Sequence, residues 1–479
     1  MPTMINEKKW ILYRHTNNLD IIKAVAVNLS TYTKAGISLE EKSMLNERLR
    51  ELLYYKERNP DLPLDAINHK INTLAYFMFG HKSTVNGRKR FLFSPLGDLM
   101  IENFDNHLIS SKIFLSQLFA IQFPHPHGGT DSEFSLYPYR LIFKLLRDPR
   151  LKYRLYSIEI ATCLVFIKNI DETSFEILIK NILKLRMYNT DDWIKLLDSK
   201  KHAHVNSYYE WDYYQLKLFS SAGIIKIKEG EVIHKMNHGR NTVRTIRKTY
   251  FELTAEVVNF CDILLQKYSP YQKPLNLQDS TRLYSDVIKE VYSFYPSELL
   301  SEIGIETKDE IQNVIDLIKA INYHSENQEK DSPYEFERLL TKALNYFINI
   351  RAEWIGGAGK TDIECIFTDN NYKFCVDAKS TSKKTSSLNS GRLRLHREKI
   401  GAGYTLIITP GYVPSVISDI KNEPITILLT STFSEYFYKI VKAKNIENDY
   451  AEIHNLILNN PGTDISELVS ELTFEKFAS

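Results

Sequence analysis

Asp362, Asp377 and Lys379 stand close together in the C-terminal third of the chain, in KTDIECIF, a turn at TDNNY, and KFCVDAKS. These segments read as two alternating strands joined in a hairpin. Side chains alternate across a strand, so Asp377 and Lys379, two residues apart, point to the same face. Asp362, early in the first strand, can bring its carboxylate beside Asp377. Two carboxylates at one sheet end make an oxygen-rich site for a hard divalent cation such as Mg²⁺, held at about 2.0–2.1 Å. The Lys379 ammonium then sits where it could position or activate a water, or balance charge on a pentavalent phosphate. The preceding helix offers Glu335 and Glu337 as a third acid. Ordinary polar residues also end strands, and a lone Asp-x-Lys is common. Context separates this one: it follows the apolar run KFCV, lies 15 residues after another strand Asp, and is preceded by Gly356-Gly357-Ala358-Gly359 and a helix carrying Phe336-Glu337.

The elements around the hairpin must hold it. PYEFERLLTKALNYFIN repeats apolar residues at helical spacing, with Phe336, Leu339, Leu340, Ala343, Leu344 and Phe347 on one stripe. RLRLHREKIGA reads as another helix. YTLIITP and PITILLT are short β-branched strands, followed by helices in VPSVISDIKN and STFSEYFYKIVKA. Residues 333–445 therefore form a compact α/β domain. Before it, residues 276–332 are mainly helical and end in the polar run SENQEKDSP, a linker, with Pro333 opening the next helix.

Upstream, a loose duplication appears. LPLDAINHKINTLAYFMFG leads through a basic turn into FLFSPLGDLMIENF, and YYQLKLFSSAGIIKIKEG leads through another into TYFELTAEVVNFCDIL. Both read as helix, hairpin with basic residues near its tip, strand, and a helix opened by a cap, Ser94 before Pro95 or Thr254 before Glu256. That is a winged-helix layout, placed at residues 1–120 and 121–275. The fold class expected is thus multidomain: a mainly α, winged-helix-like region followed by an α/β domain with a mixed sheet.

Charge supports this division. The 479 residues carry 61 Lys and Arg against 59 Asp and Glu, a net +2 that names no partner. The distribution is more telling. Seven Lys/Arg face two Glu between Lys226 and Lys248, and seven basic residues face only Glu398 between Lys379 and Lys399. The tail, 446–479, holds seven acids and one Lys and reads as an acidic helical end. Taken alone, each such run reads as a solvated face; if the partner is DNA, Arg88, Lys89 and Arg90, and Arg240, Arg244, Arg247 and Lys248, are the residues expected against the duplex. Lys383, Lys384, Arg392, Arg394 and Arg397 follow the hairpin and, on the same condition, are expected at backbone phosphates near the reacting bond. Four cysteines without CxxC spacing exclude a four-thiolate zinc knot, and no apolar run reaches a membrane span. A cytoplasmic protein is expected.

WIGGAGKTDIE followed by FCVDAKST resembles the PD-(D/E)xK nucleases, in particular the FokI-like cleavage domains of type IIS restriction endonucleases. Thr361 stands where that family usually has Pro, a common departure. The resemblance implies that Asp362 and Asp377 bind metal and that Lys379 is the catalytic lysine. Glu337 is similar to the family's supporting acid. Over about residues 60–440, the order SPLGDLMIEN, SQLFAIQFPHP, LYPYRLIFKLL, ELTAEVV, EFE, TD and DAK is similar to the AlwI-type restriction and nicking endonucleases. A Mg²⁺-dependent endonuclease cutting double-stranded DNA at a fixed distance from an asymmetric site is implied. One active site suits one strand, so a transient homodimer or partner subunit would complete a double-strand break. A cognate DNA methyltransferase would protect the host. The alternatives are a strand-specific nicking enzyme, one subunit of a heterodimeric enzyme, or a catalytically silent winged-helix regulator.

Other motifs carry less. His125-Pro126-His127-Gly128-Gly129 has no Cys or acid at ligand spacing and reads as a Pro-broken loop, and His202 and His204 read the same way. Gly356 to Lys360 lacks the spacing of a phosphate loop and enters a strand. The 29 Tyr and 24 Phe read chiefly as core.

Overall fold

The computed structural model describes residues 8–14, 16–52, 64–85, 87–127, 132–238, 242–279, 284–303, 309–327, 329, 331–356, 361–443 and 447–477. The chain forms two compact units: residues 1–83, 89–277 and 291–305 in the first, and 84–88, 278–290 and 306–479 in the second.

The first unit is helical with small sheets. Its core is aromatic, with Phe77, Phe79, Phe91, Phe114 and Phe119 fully buried. Ser94 caps the helix Pro95–Glu102 by accepting from the Gly97 N–H at 3.0 Å, with Pro95 in the first turn. Gly97 is needed there because a Cβ would meet the Phe79 carbonyl oxygen at 1.9 Å. Thr254 takes the N-cap position of Ala255–Lys267, but its hydroxyl donates to the Gly223 carbonyl at 2.6 Å instead of capping. It ties the helix start to the preceding turn. Strands Val232–His238 and Thr242–Arg247 pair into a two-stranded ribbon. Ile233, Met236 and Ile246 root it against Trp193, Val205 and Tyr208. His125 is buried, stacks on Tyr76 at 4.7 Å, and bonds the Tyr76 carbonyl through Nε2 at 2.9 Å. Burial pushes its pKa down to about 3, as befits a neutral core histidine.

The second unit is built on a five-stranded sheet. Its elements in chain order are α1 (Asp309–Ser325), α2 (Ser332–Leu344), β1 (Ile350–Trp354), β2 (Ile363–Phe367), β3 (Tyr372–Ala378), α3 (Ser390–Ile400), β4 (Tyr404–Thr409), α4 (Val416–Ile420), β5 (Ile425–Leu429), α5 (Thr430–Lys442), α6 (Ala451–Asn459) and α7 (Ser466–Phe477). Strand order is β5-β4-β3-β2-β1, with β1 to β3 an antiparallel meander and β3 to β5 parallel. The sheet is mixed, as expected. The β2–β3 turn ends on Asn371 in the left-handed region at φ 56°, a conformation Asn tolerates, and Asn370 Oδ1 accepts from the Tyr372 N–H at 3.0 Å.

Period-two alternation sorts this sheet into two faces. Ile363, Cys365, Phe367, Phe374, Val376, Leu406 and Ile408 pack with α1, α2, α5, α6 and α7 into the main core. Ile407, Ile425 and Ile427 face the other way and pack with Leu393 of α3 and with Val416 and Ile420 of α4. Three features go beyond what the sequence showed. The edge strand β1 was not anticipated. The run SENQEKDSP is not a boundary between compact units: it joins two helices of the same unit, with Ser325 and Ser332 buried and the Ser325 carbonyl accepting from Thr381 N–H at 2.8 Å. The acidic tail is helical, in α6 and α7, and Ile453, Ile457, Ile465 and Val469 make it part of the core.

Candidate active site

Asp377 is the sixth residue of β3 and only 2% exposed. Asp362 lies one residue before β2, just beyond the Ile363–Val376 register pair, which sets the two aspartates opposite one another. Both take the face opposite Val376 and Ile363, so they share the α3 side of the sheet. The Asp362 Oδ2 atom accepts from the Ala378 N–H at 2.8 Å. Lys379 follows β3 directly. Its backbone N–H still bonds the Ile408 carbonyl at 2.8 Å, and its ammonium forms an ion pair with the Asp377 carboxylate. The structure brings these three side chains together.

Glu337 comes from α2, on the opposite layer, and its Oε2 accepts from the Trp354 indole N–H at 2.8 Å. The Arg338 guanidinium lies 4.5 Å over the same Trp354 ring. Glu337 is therefore aimed by the end of β1, and its charge bears on Asp362. Glu335 pairs with Arg338 at 3.3 Å.

Electrostatics mark the cluster as short of positive charge. Burial, and then the neighbouring Asp377 charge, push the Asp362 carboxyl up to about 7; Lys379 and the Ala378 N–H oppose this. Glu337 is pushed up by burial against the pull of its Trp354 hydrogen bond. Among the described residues, no group of three or more His, Cys, Asp and Glu side chains forms a ready-made metal cage. The donor set is two carboxylates side by side, and that suits a cation that keeps several waters or shares substrate oxygens. The residues present therefore fit a divalent cation of the Mg²⁺ kind.

His396 is a residue the sequence did not single out. It belongs to the inward stripe of α3, with Leu393 and Arg397, and is 9% exposed. Burial, then Arg392, hold its imidazole below the ordinary range, while Asp377 pulls it up. The i, i+3, i+4 spacing of Leu393, His396 and Arg397 was the available signal; nothing in the sequence pointed to Trp354.

The expected DNA contacts fall into distinct environments. Arg88, Lys89 and Arg392 are exposed, as is Lys383, and Lys384 is half-buried. Arg90 is engaged with Glu41 at 3.3 Å. Arg247 reaches the Gly230 carbonyl at 3.5 Å, and Lys248 is half-buried. Arg244 lies over the Tyr209 ring, while Arg240 lies outside the described residues. Arg394 and Arg397 both pair with Glu423, and Arg397 is 6% exposed. Arg397 thus presents no free face to a phosphate; it pins α3 to the turn between α4 and β5.

No described helix is long and apolar enough to cross a membrane. Among solved structures, restriction endonuclease FokI matches over 96% of this chain and 100% of its own at 11% identity, with a TM-score of 0.27. FokI bound to DNA matches at 10% identity and 0.26. Neither superposition is close enough to bear on the fold. Sequence is decisive. Residues 5–268 match the family profile of the type II restriction endonuclease HgaI N-terminal domain. The whole chain is 41% identical over 484 residues to the type II restriction enzyme HgaI of Avibacterium volantium, covering 99% of both. With matches to the N-terminal domain and along the full length, the chain belongs to the HgaI family of type II restriction endonucleases.

Proposed function

We propose that the chain is a type IIS enzyme that binds a short asymmetric duplex sequence through its first unit and hydrolyses a phosphodiester at a fixed distance with its second. On this reading the first unit contains two winged-helix-like modules and the second is a PD-(D/E)xK nuclease domain. One observation carries it: Asp362 and Asp377 stand side by side on one sheet face with Lys379 at hand. A bound Mg²⁺ would supply Lewis-acid charge at the phosphoryl oxygens and acidify the attacking water. Asp362 and Asp377 would hold the cation. Lys379 would orient the water or balance the charge gathering on the phosphorus oxygens, and Glu337 would tune the field from its fixed seat on Trp354. A water oxygen bonds to phosphorus as the bond to the leaving sugar oxygen breaks, and that oxygen takes up a proton. Exposed Arg88, Lys89, Lys383 and Arg392 suit phosphates, which position the duplex without reading it.

A break in both strands then needs a second active site, from a transient second copy or a partner subunit, and host DNA needs a methyltransferase. Incubation with plasmid and Mg²⁺, followed by sequencing of the ends, tests all of this. Ends at one offset from one motif are expected. Nicks in one strand only would favour the nicking reading, and uncut plasmid would refute the nuclease.

A further inference from the structure

In the ribbon of the first unit, Met236 pairs with Arg244 and His234 with Ile246. Met236 and Ile246 sit in the core that roots the ribbon. Arg244 is the next residue outward from Ile246 on that inner face, across from Met236. It packs flat on Tyr209 instead, its guanidinium carbon 3.6 Å from the ring centroid. Tyr209 ends the helix Lys201–Tyr209 and is followed by a π-helix, Glu210–Gln215. The widened turn lets Tyr209 stack on Tyr213 at 5.3 Å and 15°, with Tyr214 edge-on at 5.6 Å. Single π-helical turns often occur at functional sites.

The charge around this shelf is arranged so that Arg244 stays unclaimed. Glu210, which follows Tyr209 directly, is taken by Lys9 at 2.7 Å and Arg14 at 3.0 Å. Arg247, three residues on, has the Gly230 carbonyl. Among the described residues, no carboxylate or carbonyl accepts from the Arg244 guanidinium; its Nε is buried against the protein, which leaves the terminal nitrogens as the part that can meet an outside acceptor. A half-buried guanidinium with open donors is complete only when a ligand brings acceptors. Stacking fixes its plane beforehand, so little side-chain freedom is lost on binding.

A planar fork takes a pair of acceptors, found on a phosphate or on the major-groove edge of guanine. Phosphates are served by exposed cations such as Lys235. A fork held flat on an aromatic platform, inside a two-stranded ribbon of the width the major groove admits, suits a base edge. We propose that Arg244, positioned by Tyr209, reads one guanine of the recognition sequence through its N7 and O6 atoms. This rests on the reading of the chain as a sequence-specific endonuclease.

The test is binding selection by the full-length protein from a randomised duplex library, with thermal melting as a check on folding. Wild type should enrich one motif. Arg244→Ala should lose preference for guanine at one position by ~10-fold or more and leave the other positions unchanged. Arg244→Gln should shift that position toward adenine, which Gln can bind bidentately. Tyr209→Leu should weaken the same position only, and Tyr209→Phe should not. If Arg244→Ala melts early, Arg244→Gln and Tyr209→Leu decide. Uniform weakening across all sequences makes Arg244 a phosphate contact and overturns the assignment, as does an unchanged motif. A wild-type protein that enriches no motif overturns the sequence-specific reading itself, and this assignment with it.

Discussion

The carboxylate of Asp362 is held by the backbone N–H of Ala378, at 2.8 Å, the residue between Asp377 and Lys379. That bond joins the first strand's entry to the second strand's end and keeps Asp362 from swinging away from Asp377. It makes the two carboxylates a single fixed donor set.

Removing either carboxylate should therefore abolish cleavage without abolishing recognition. Asp377→Ala and Asp362→Ala are expected to bind the specific duplex as wild type does in a gel-shift measurement and to give no product. Cleavage at the wild-type rate in Mg²⁺ by either variant would remove these residues from the chemistry.

Asp362 should also leave a mark on stability. Its carboxyl is pushed up to about 7, above the ordinary value of about 3.9. A carboxyl with a raised folded pKa holds its proton more tightly folded than unfolded. Its contribution is complete below the unfolded value and is lost as pH rises through the window from about 4 to about 7. Without metal, Asp362→Asn should melt about 2–4 °C above wild type at roughly pH 8 and match it near roughly pH 4. Added Mg²⁺ should raise the wild-type melting temperature at the higher pH more than that of the variant. Calorimetric scans with and without EDTA check both statements.

Lys379 is expected to act in the reaction and not in folding. Its ammonium touches only the edge of the core, through Asp377. Lys379→Ala should lower the single-turnover cleavage rate by at least ~100-fold, the usual worth of one positioned group. Melting should stay cooperative and specific binding intact. A broadened or lost transition would make the lysine structural.

Helix α1 sets where the chain can be divided. Val314, Leu317 and Ile321 are core residues of the second unit. A fragment starting at Ser332 lacks them and should aggregate or melt without cooperativity. One starting at residue 306 keeps them and should fold, and should show weak, salt-sensitive, sequence-indifferent cleavage that rises more than linearly with concentration if two copies must meet. Circular dichroism melts of the two fragments separate the outcomes; a well-folded Ser332 fragment would contradict this placement of the core.

Much of the second unit was legible because its elements are marked locally. The alternation in KFCVDAKS located β3 and put Asp377 and Lys379 on one face, and PYEFERLLTKALNYFIN gave α2 with its buried stripe. What escaped depends on distant partners. Strand β1 is exposed at Arg351 and Glu353 and gains its register only from β2, so IRAEW carries little signal of its own. SENQEKDSP is polar in composition, yet Ser325 and Ser332 become buried through bonds to Thr381 and Glu329. Arg397 looked like a phosphate contact because its partner Glu423 is 26 residues away in sequence. Arg244 was expected at the DNA for its charge alone; the ring beneath it comes from another element.

The strict alternation of the β2–β3 hairpin has an evolutionary corollary. Inside-or-outside is a matter of parity, and one inserted or deleted residue within Tyr372–Ala378 would invert it, carrying Asp377 inward and Val376 out to the cleft. Length changes there cannot be absorbed by gradual adjustment, whereas the turn before Tyr372 can lengthen without altering which side chains face α3. Active members of a lineage built on this hairpin should vary in the length of that turn and never in the count of residues along its second strand.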